Sequence, residues 1–368
     1  MPHSTVERIE LDLLKVPLKT PYKLAFGSVE AFDTLLVTVT LTDGRSGIGE
    51  ATILTGYTDE TLDQSWRAAR ILGAELPGTA AADVAERVMP RLHQNPFTVT
   101  AFATAVEMAL GHPTLSRTGA SMPLLAVLSK SDPAAIEAEL EELLAAGYRT
   151  IKVKAGWDVD ADLARVRLVQ HVLNGRAAIR IDANQGYSQD DGCRFARGLD
   201  PAGIELFEQP CAAADWDAAL AVKRVASVPM MLDESICDMS DVERAAALGA
   251  ADFIKLKLMK LGSIDRLEQA LARIQSLGLI PVLGNGVATE IGCWMEACVS
   301  AKMVTTAGEM NGFLKQQRTL ISMPLHVDHG CLQLELARPP SLDANAVAAT
   351  RVTREEFRVA YAKPSAKV

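Results

Sequence analysis

The chain has 368 residues, of which 49% are hydrophobic, and its formal net charge is −9. This length exceeds the ~250 residues at which single domains usually stop growing, so we expect a second, smaller domain. The acidic balance, without a basic run carrying interleaved aromatic residues, argues against nucleic acid and anionic membranes as partners. Small molecules are therefore the expected partners.

The N-terminal sequence carries no export signal of the usual kind. No basic segment followed by an apolar stretch is present there, and no window approaches ~18 uninterrupted apolar residues. We therefore expect a cytoplasmic protein without membrane spans. The six cysteines form no CxxC pair, so reduced thiols are expected and a structural zinc site is not.

The first third of the chain is predicted to be an α+β capping domain, residues 1–120. Residues 35–41 (LLVTVTL) alternate apolar residues with threonine. The turn signal Asp43-Gly44 follows, and residues 47–51 are the expected hairpin partner. Beyond about residue 60 the sequence becomes alanine-rich and helical, which predicts helices packed on the sheet.

From Pro123 onward, short apolar strands alternate with helical segments. This order predicts an α/β fold, a modified TIM barrel of the (β/α)7β type over residues 121–320. Eight parallel strands are expected. The recognisable strand candidates are 150–154, 178–182, 204–208, 230–233, 253–257, 280–283 and 304–309. Residues 321–368 are predicted to return to the cap as loop and edge strand.

Three acidic residues follow apolar runs at almost equal intervals. Asp182, Glu208 and Asp233 are separated by 208 − 182 = 26 and 233 − 208 = 25 residues, about one strand-helix unit of a parallel array. This period places three carboxylates at the ends of three adjacent strands. Carboxylate oxygens are the ligands that Mg²⁺ prefers, so the sequence predicts a magnesium site.

Lysines continue the same period on both sides of the acids. Lys154 lies 28 residues before Asp182, and Lys257 lies 24 residues after Asp233. Because a barrel closes on itself, the two lysines can face each other across its mouth and place a base on either side of a metal-bound substrate. Lys255, two residues deeper on its strand, is expected below the metal.

Each of these features also has an ordinary structural explanation. An acid after an apolar run is commonly a helix N-cap, and an alternating pair such as Lys152 and Lys154 is commonly part of a solvated edge strand. Strands inside a parallel sheet are buried on both faces, however, so lysines within them need a local reason. The shared period therefore favours a functional site.

Two further positions have open alternatives. Asn184 lies two residues beyond Asp182 and can bind a metal water or hold Lys257, or it is an ordinary turn asparagine. Glu290 follows the seventh strand and can contact the substrate, or it is a first-turn glutamate of a helix.

The motifs together resemble those of the enolase superfamily, specifically its muconate lactonizing enzyme subgroup. The resemblance is carried by KVK, by the acids in IDAN, FEQP and LDES, by FIKLKLMK and by GNGVATEIG. It implies one Mg²⁺ per active site on the three acids, with Lys154 and Lys257 as the acid/base pair and Lys152 binding the substrate carboxylate. It further implies a homo-oligomeric enzyme that removes the proton next to a carboxylate and forms an ene-diolate.

The resemblance also suggests a substrate. Dipeptide epimerases of this subgroup carry Asp-x-Asp at strand eight to grip the substrate ammonium, whereas this chain has Glu309 and Asn311. That difference argues against dipeptides, although Glu309 can still accept a hydrogen bond from an amine. The cap-loop residues Tyr22, Phe26 and Tyr57 indicate a small, partly apolar pocket.

The segments ILTGYTDET, KVK and GEMNG are similar to those of cis-3-hydroxy-L-proline dehydratases, so the first expectation is a lyase that forms the cyclic imine pyrroline-2-carboxylate. An isomerase that racemises or epimerises a proline-type or N-substituted amino acid would use the same two lysines. A muconate-type cycloisomerase is a further alternative, but GNGVATEIG differs from the pattern of that activity. A metal-binding barrel without catalysis is the remotest alternative, because both lysines and all three acids are present.

Overall fold

The N-terminal part of the chain folds as an antiparallel sheet with helices packed on it. The structure is a computed structural model that describes residues 4–24, 27–116, 119–334 and 339–359. The elements of this cap are β1 (Val6–Leu24), β2 (Gly27–Leu41), β3 (Ser46–Thr52), α1 (Leu62–Glu75), α2 (Val84–Val88) and α3 (Pro96–Leu110). The expected hairpin is confirmed, since β2 pairs with β3.

The barrel follows, with strands and helices in alternation. Its elements are β4 (Ala120–Pro123), β5 (Ala126–Val127), α4 (Pro133–Ala145), β6 (Thr150–Lys154), α5 (Val159–Leu173), β7 (Ala178–Asp182), α6 (Gln189–Gly198), β8 (Ile204–Glu208), α7 (Trp216–Val225), β9 (Met230–Leu232), α8 (Met239–Leu248), β10 (Phe253–Leu256), α9 (Leu258–Leu261), α10 (Ile264–Ser276), β11 (Ile280–Leu283) and α11 (Glu290–Met303). Within residues 119–334, β5 to β11 form one parallel sheet in chain order. This is the TIM-like architecture that the alternation predicts.

The barrel closes without the predicted eighth strand. Residues 304–309 form no strand; instead, Gly308 donates its N–H to the Pro123 carbonyl at 2.9 Å and accepts from Leu125 N at 3.0 Å. On the other side, Glu309 N lies 3.4 Å from the Leu283 oxygen of β11. The neighbouring β5 is only two residues long, so it offers too short a ladder for a full strand. The prediction of a strand at 304–309 was therefore wrong.

Alternation along the strands divides the barrel interior into an apolar floor and a charged mouth. Successive side chains of a strand point to opposite faces, so residues two apart share a face. Leu206, Met231, Phe253 and Val282 form a buried cluster. Two residues further along three of these strands come Glu208, Asp233 and Lys255, and the ionisable groups are thereby gathered at the carboxyl ends of the strands.

The C-terminal segment contributes to two different sheets. Its elements are β12 (His326–Asp328), β13 (Cys331–Leu334), α12 (Ala344–Thr350) and β14 (Arg351–Arg358). β13 pairs with β4, which directly precedes the barrel strand β5, whereas β14 pairs with β1, giving the cap sheet the order β14-β1-β2-β3. None of the described helices is long and apolar enough to span a membrane.

Within the cap, β3 packs closely on α3. At Gly49 an added Cβ would lie 2.0 Å from the carbonyl oxygen of Ala101, and at Gly47 it would lie 2.1 Å from that of Ala105. Only glycine permits so close an approach of strand to helix. The neighbouring Glu50 is buried and accepts hydrogen bonds from barrel residues.

Two cap glutamates complete the first turns of two barrel helices. Glu50 Oε1 accepts from Thr289 N at 2.7 Å and Gly292 N at 2.9 Å, at the start of α11. Glu107 of α3 accepts from the first two amides of α10 at 2.9 and 3.0 Å. Amides in the first turn of a helix have no partner within the helix, and negative charge is favoured there. These contacts join cap and barrel.

Glu50 predicts a measurable pH dependence of stability. Burial raises its pKa from 4.5 to about 7. Between these pH values the unfolded state releases a proton that the folded state keeps, so folding loses stability as pH rises. Glu50→Gln can keep the amide contacts without the charge. The free energy of unfolding of wild type should therefore fall relative to that of Glu50→Gln by up to roughly 3 kcal/mol across this window, at 1.36 kcal/mol per pKa unit.

Urea unfolding of both proteins between pH 4.5 and pH 7.5 measures this difference. The exposed α2 substitution Glu86→Gln is the matched control and should follow wild type at every pH. The prediction would be contradicted if the free energies of unfolding of wild type and Glu50→Gln differed by the same amount at every pH in this range.

Candidate active site

The predicted acids and lysines lie side by side at the carboxyl ends of five consecutive strands. Lys154, Asp182 and Glu208 are the last residues of β6, β7 and β8. Asp233 and Lys257 directly follow the last residues of β9 and β10. The strand order β6 to β10 therefore puts the three acids in a row between the two lysines.

Lys154 is held at one end of this row. Its Nζ lies 2.7 Å from Asp182 Oδ2 and also donates to Asn184 Oδ1. Asn184 has a left-handed backbone, φ 41°, which asparagine tolerates better than most residues, and its N–H donates to Asp182 Oδ1 at 2.9 Å. Asn184 thus contacts Lys154, and the interpretation that it holds Lys257 was wrong. It follows β7, which adjoins β6 but is three strands from β10.

Lys152 lies deeper, among three carboxylates. Its Nζ is 2.8 Å from Asp182 Oδ2, 3.0 Å from Glu208 Oε2 and 2.9 Å from Glu309 Oε1. Burial lowers the pKa of Lys152, but the three carboxylates outweigh burial and raise it well above its ordinary value. The side chain is therefore a buried ammonium ion whose contacts are carboxylates of the chain itself.

Lys255 occupies the corresponding place on the other side of Glu208. Its Nζ lies 2.5 Å from Glu208 Oε1, 2.9 Å from Glu309 Oε1 and 3.6 Å from Asp233 Oδ2. It is almost completely buried, which agrees with the expectation that it lies deeper than Lys257. Glu309 joins Lys152 to Lys255. Although burial raises the pKa of Glu309, these two ammonium groups lower it far below its ordinary value.

Lys257 stands at the far end of the row. Its Nζ is 2.9 Å from Asp233 Oδ2 and 5.1 Å from the ring centre of Tyr57, whose π face attracts cations. Burial lowers the pKa of Lys257, but Asp233 raises it above the ordinary value. Lys260 holds the Asp233 loop from below, since its Nζ donates to the Asp233 carbonyl at 2.9 Å and to that of Ile236 at 2.6 Å.

The remaining predicted substrate contacts divide into two groups. Tyr57 faces Lys257, and the half-buried Tyr22 packs edge-on against Phe32 with a centroid distance of 6.3 Å. Glu290 is the first residue of α11, and its Oε1 accepts from Leu320 N at 3.3 Å. Among the described residues no hydrogen bond joins Glu290 to a site lysine, so the helix first-turn interpretation fits it better. Phe26 lies outside the described residues.

Sequence reasoning missed Glu234 and gave no role to Lys260. Glu234 Oε1 accepts from Asn184 Nδ2 at 3.0 Å and so helps to orient the amide that contacts Lys154. A sequence signal existed for both residues, because Glu234 follows Asp233 directly and Lys260 belongs to the FIKLKLMK run. Their partners, however, lie on other strands.

Possible ligand atoms for a cation cluster most tightly away from the strand-end acids. In the part of the chain that the structure describes, one group of three possible ligands has its atoms within 4.8 Å of each other: Glu107, His112 and Asp265. Asp182, Glu208 and Asp233 are further apart, because the ammonium groups of Lys152 and Lys255 lie between them.

The three strand-end acids nevertheless suit the ion. Glu208 Oε2 is buried and makes no hydrogen bond, although Lys152 Nζ lies 3.0 Å away. Burial and the neighbouring Asp182 raise the pKa of Glu208 to about 7, so Lys152 and Lys255, which lower it, do not fully offset the cost of burying this carboxylate. Hard oxygen donors from adjacent strands are what Mg²⁺ requires. We propose Asp182, Glu208 and Asp233 as its ligands.

A capping domain over a parallel barrel, with acids and lysines at adjacent strand ends, is the architecture of the enolase class of enzymes. Two family models match this chain: the mandelate racemase / muconate lactonizing enzyme N-terminal domain over residues 8–125, and the enolase C-terminal domain-like model over residues 135–339. The chain belongs to the mandelate racemase / muconate lactonizing enzyme family of the enolase superfamily, whose members use Mg²⁺.

Relatives of known activity and structure include isomerases of several kinds. The chain is 32% identical to an L-Lys-D/L-Arg epimerase of Methylococcus capsulatus, over 67% of this chain and 73% of that protein. It is 25% identical to an N-succinyl-L-Arg/Lys racemase of Bacillus cereus, over 84% and 88%. The crystal structure of a muconate lactonizing enzyme from Pseudomonas fluorescens, complexed with muconolactone, superposes with a TM-score of 0.84 at 27% identity, covering 95% of this chain and all of that one.

The metal assignment predicts the effect of Glu208→Gln. This substitution removes a charged ligand with little change in shape, so the affinity for Mg²⁺ should fall at least tenfold, since losing even a neighbour of a ligand typically costs ~10–100-fold. Titration calorimetry on chelator-treated protein measures the affinity. Glu205→Gln, on the same strand but paired with Arg180, is the matched control and should bind like wild type. Equal Mg²⁺ affinity in all three proteins would refute the assignment.

Proposed function

We propose that this protein is a Mg²⁺-dependent racemase or epimerase that inverts the α-carbon of an N-substituted amino acid. The observation that carries the proposal is the position of Lys154 and Lys257 at opposite ends of the row of strand-end acids. Inversion requires one group to remove a proton from one face of a carbon and another to return a proton to the opposite face. Two lysines separated by the carboxylates meet this requirement.

The proton balance of the reaction is simple. For one enantiomer, neutral Lys154 takes the α proton and becomes an ammonium ion, while the ammonium ion of Lys257 gives a proton to the other face and becomes neutral. For the other enantiomer the two roles are exchanged. A Mg²⁺ ion held by Asp182, Glu208 and Asp233 would offset the second negative charge that proton removal creates on the substrate carboxylate.

The chain's other groups orient the lysines and line the site. Asn184 accepts from Lys154, and Tyr57 lies beside Lys257, so each lysine has a neighbour other than its acid. As the family resemblance implies, Lys152 is proposed to meet the charge of a substrate carboxylate. The low exposure of Lys152 and Lys257 limits access of bulk water to the site, which strengthens electrostatic interactions there.

The charges near the eighth strand position support a substrate without a free ammonium group. Glu309 is already neutralised by Lys152 and Lys255. Asn311 carries no charge, and its Nδ2 donates to the Leu125 carbonyl at 3.3 Å. Neither side chain offers a spare negative charge to an ammonium ion, so an acylated nitrogen is the better fit. The racemase from Bacillus cereus, named for N-succinyl substrates, agrees with this class.

Dehydration of cis-3-hydroxy-L-proline, the first expectation from the sequence, is supported by motif similarity alone. The relatives named above are an epimerase, a racemase and a lactonizing enzyme. Both reactions begin with removal of the α proton and use the same lysines, so they differ only in the step that follows proton removal.

Isotope exchange in D₂O separates the reactions. The Mg²⁺-loaded protein is incubated with N-succinyl-L-arginine, N-succinyl-D-arginine, L-Lys-L-Arg, L-Lys-D-Arg and cis-3-hydroxy-L-proline. The proposal expects deuterium at the α-carbon together with inverted configuration for an N-succinyl pair. Imine formation from cis-3-hydroxy-L-proline without inversion of any other compound would instead identify a dehydratase and overturn the proposal.

Substitution of each lysine tests the two-base arrangement. Lys154→Ala and Lys257→Ala should each reduce inversion by at least ~10²-fold, because losing a positioned acid or base typically costs ~10²–10⁴. Each variant should still exchange the α proton of one enantiomer, and the two variants should retain opposite enantiomers. Lys223→Ala, in α7, is the control and should behave like wild type. If both variants still exchanged the α proton of the same enantiomer, Lys154 and Lys257 would not act on opposite faces of the α-carbon.

A further inference from the structure

Behind Lys257 lies a buried glutamate that the proposed reaction does not use. Glu296 of α11 is 4% exposed. Its Oε1 accepts from Leu258 N at 3.3 Å, and its Oε2 accepts from Asn285 Nδ2. The carboxyl group therefore joins the first amide of α9 to the segment that follows β11.

The amide of Leu258 fixes the backbone next to the reactive lysine. Lys257 occupies the N-cap position of α9, and its own side chain makes no capping hydrogen bond because it extends toward Asp233. The first amide of a helix has no partner within the helix. Glu296 supplies that partner from another helix, so the strand-to-helix junction at Lys257 is anchored through its neighbour.

The anchor itself is held from a second direction. Asn285 follows β11, and its amide contacts Glu296 and, at 3.6 Å, the sulfur of Cys293. Glu296 is thus pinned by one contact to the Lys257 junction and by another to the neighbouring strand end. A buried carboxyl group is costly unless its oxygens are satisfied, and both oxygens have partners here.

We propose that Glu296 is a positioning residue that sets the location of the Lys257 amine by accepting the hydrogen bond from Leu258 N. This inference deepens the proposed function and rests on it where catalysis is concerned. A small rotation at the junction would move an amine carried by four methylene groups away from the α-carbon. Misplacement of a reacting group by about 1 Å can cost ~10²-fold in rate.

The chain offers a matched pair of substitutions. Glu296→Gln can keep both hydrogen bonds if the Asn285 amide turns so that its oxygen accepts, and it is a close mimic at pH 7 because burial raises the pKa of Glu296 to about 8. Glu296→Leu fills similar space and loses both bonds. Glu50→Gln, which alters a buried glutamate that bonds Thr289 and Gly292 at the start of α11 and makes no bond to Leu258, is the control for general disturbance of that helix.

The first measurement is the exchange of each enantiomer of N-succinyl-arginine in D₂O. The exchange that depends on Lys257 is the exchange that is missing in Lys257→Ala. In Glu296→Leu the rate of this exchange should fall at least ~10-fold, whereas the rate of the exchange that depends on Lys154 should not change. Glu296→Gln should keep both, and Glu50→Gln should not favour one face. The proposal would be overturned if Glu296→Leu lowered the exchange rates of both enantiomers equally. It would also be overturned if Glu296→Gln lowered the exchange rate as much as Glu296→Leu does.

The second measurement needs no substrate. Hydrogen-deuterium exchange of the backbone should be faster at residues 257–261 in Glu296→Leu and unchanged there in Glu296→Gln, with residues 150–154 unchanged in both. Unchanged protection at 257–261 in Glu296→Leu would overturn the anchor. If Glu296→Leu does not fold, Asn285→Ala replaces it and should weaken the same protection. If wild type exchanges the α proton of no substrate, the proposed function is refuted. The backbone exchange at residues 257–261 then still tests whether Glu296 holds the Lys257 junction.

Discussion

Charge pairing inside the barrel mouth is the constraint on which the rest of the structure depends. Isolated buried charges are very costly, so the acids and lysines at the strand ends must neutralise one another. They do so by interleaving: the ammonium groups of Lys152 and Lys255 lie between carboxylates from different strands. A cation that binds these acids competes with ammonium groups of the chain.

Glutamates at helix beginnings form a second framework around this mouth. Each carboxylate accepts a hydrogen bond from an amide at the beginning of a barrel helix: Glu50 at α11, Glu107 at α10 and Glu296 at α9. The first two come from the cap, so the barrel helices behind the site depend on the cap for their capping groups. The cap is accordingly part of the framework that orients the site, in addition to covering it.

The strand-end groups were predictable from the sequence because each unit of a parallel barrel contributes one short strand and one helix, and the acids follow that period. Residues that meet across the fold were harder to predict. The contact between Glu50 and Thr289 spans 239 positions, and no local pattern marks it. Contact of Asn184 with Lys257 was one of three alternatives, and the chain order of the strands would have favoured Lys154, whose strand β6 adjoins β7. The prediction of an eighth strand was wrong because the neighbouring β5 is too short to pair with it, and the sequence of residues 304–309 does not show this. Substrate choice was the weakest inference, since it depends on cap side chains and on a few substitutions at one strand end.

The pairing of β1 with β14 has a consequence for how the chain is made. Arg8 lies opposite Arg358 and Leu14 lies opposite Arg351, so the first and last strands of the described chain are neighbours in one sheet. During synthesis the cap sheet stays incomplete, with one edge of β1 open, until the whole barrel has left the ribosome. Open strand edges attract other chains, so the nascent protein carries an aggregation-prone edge until its final strand arrives. The same adjacency means that a short linker is enough to connect β14 directly to β1.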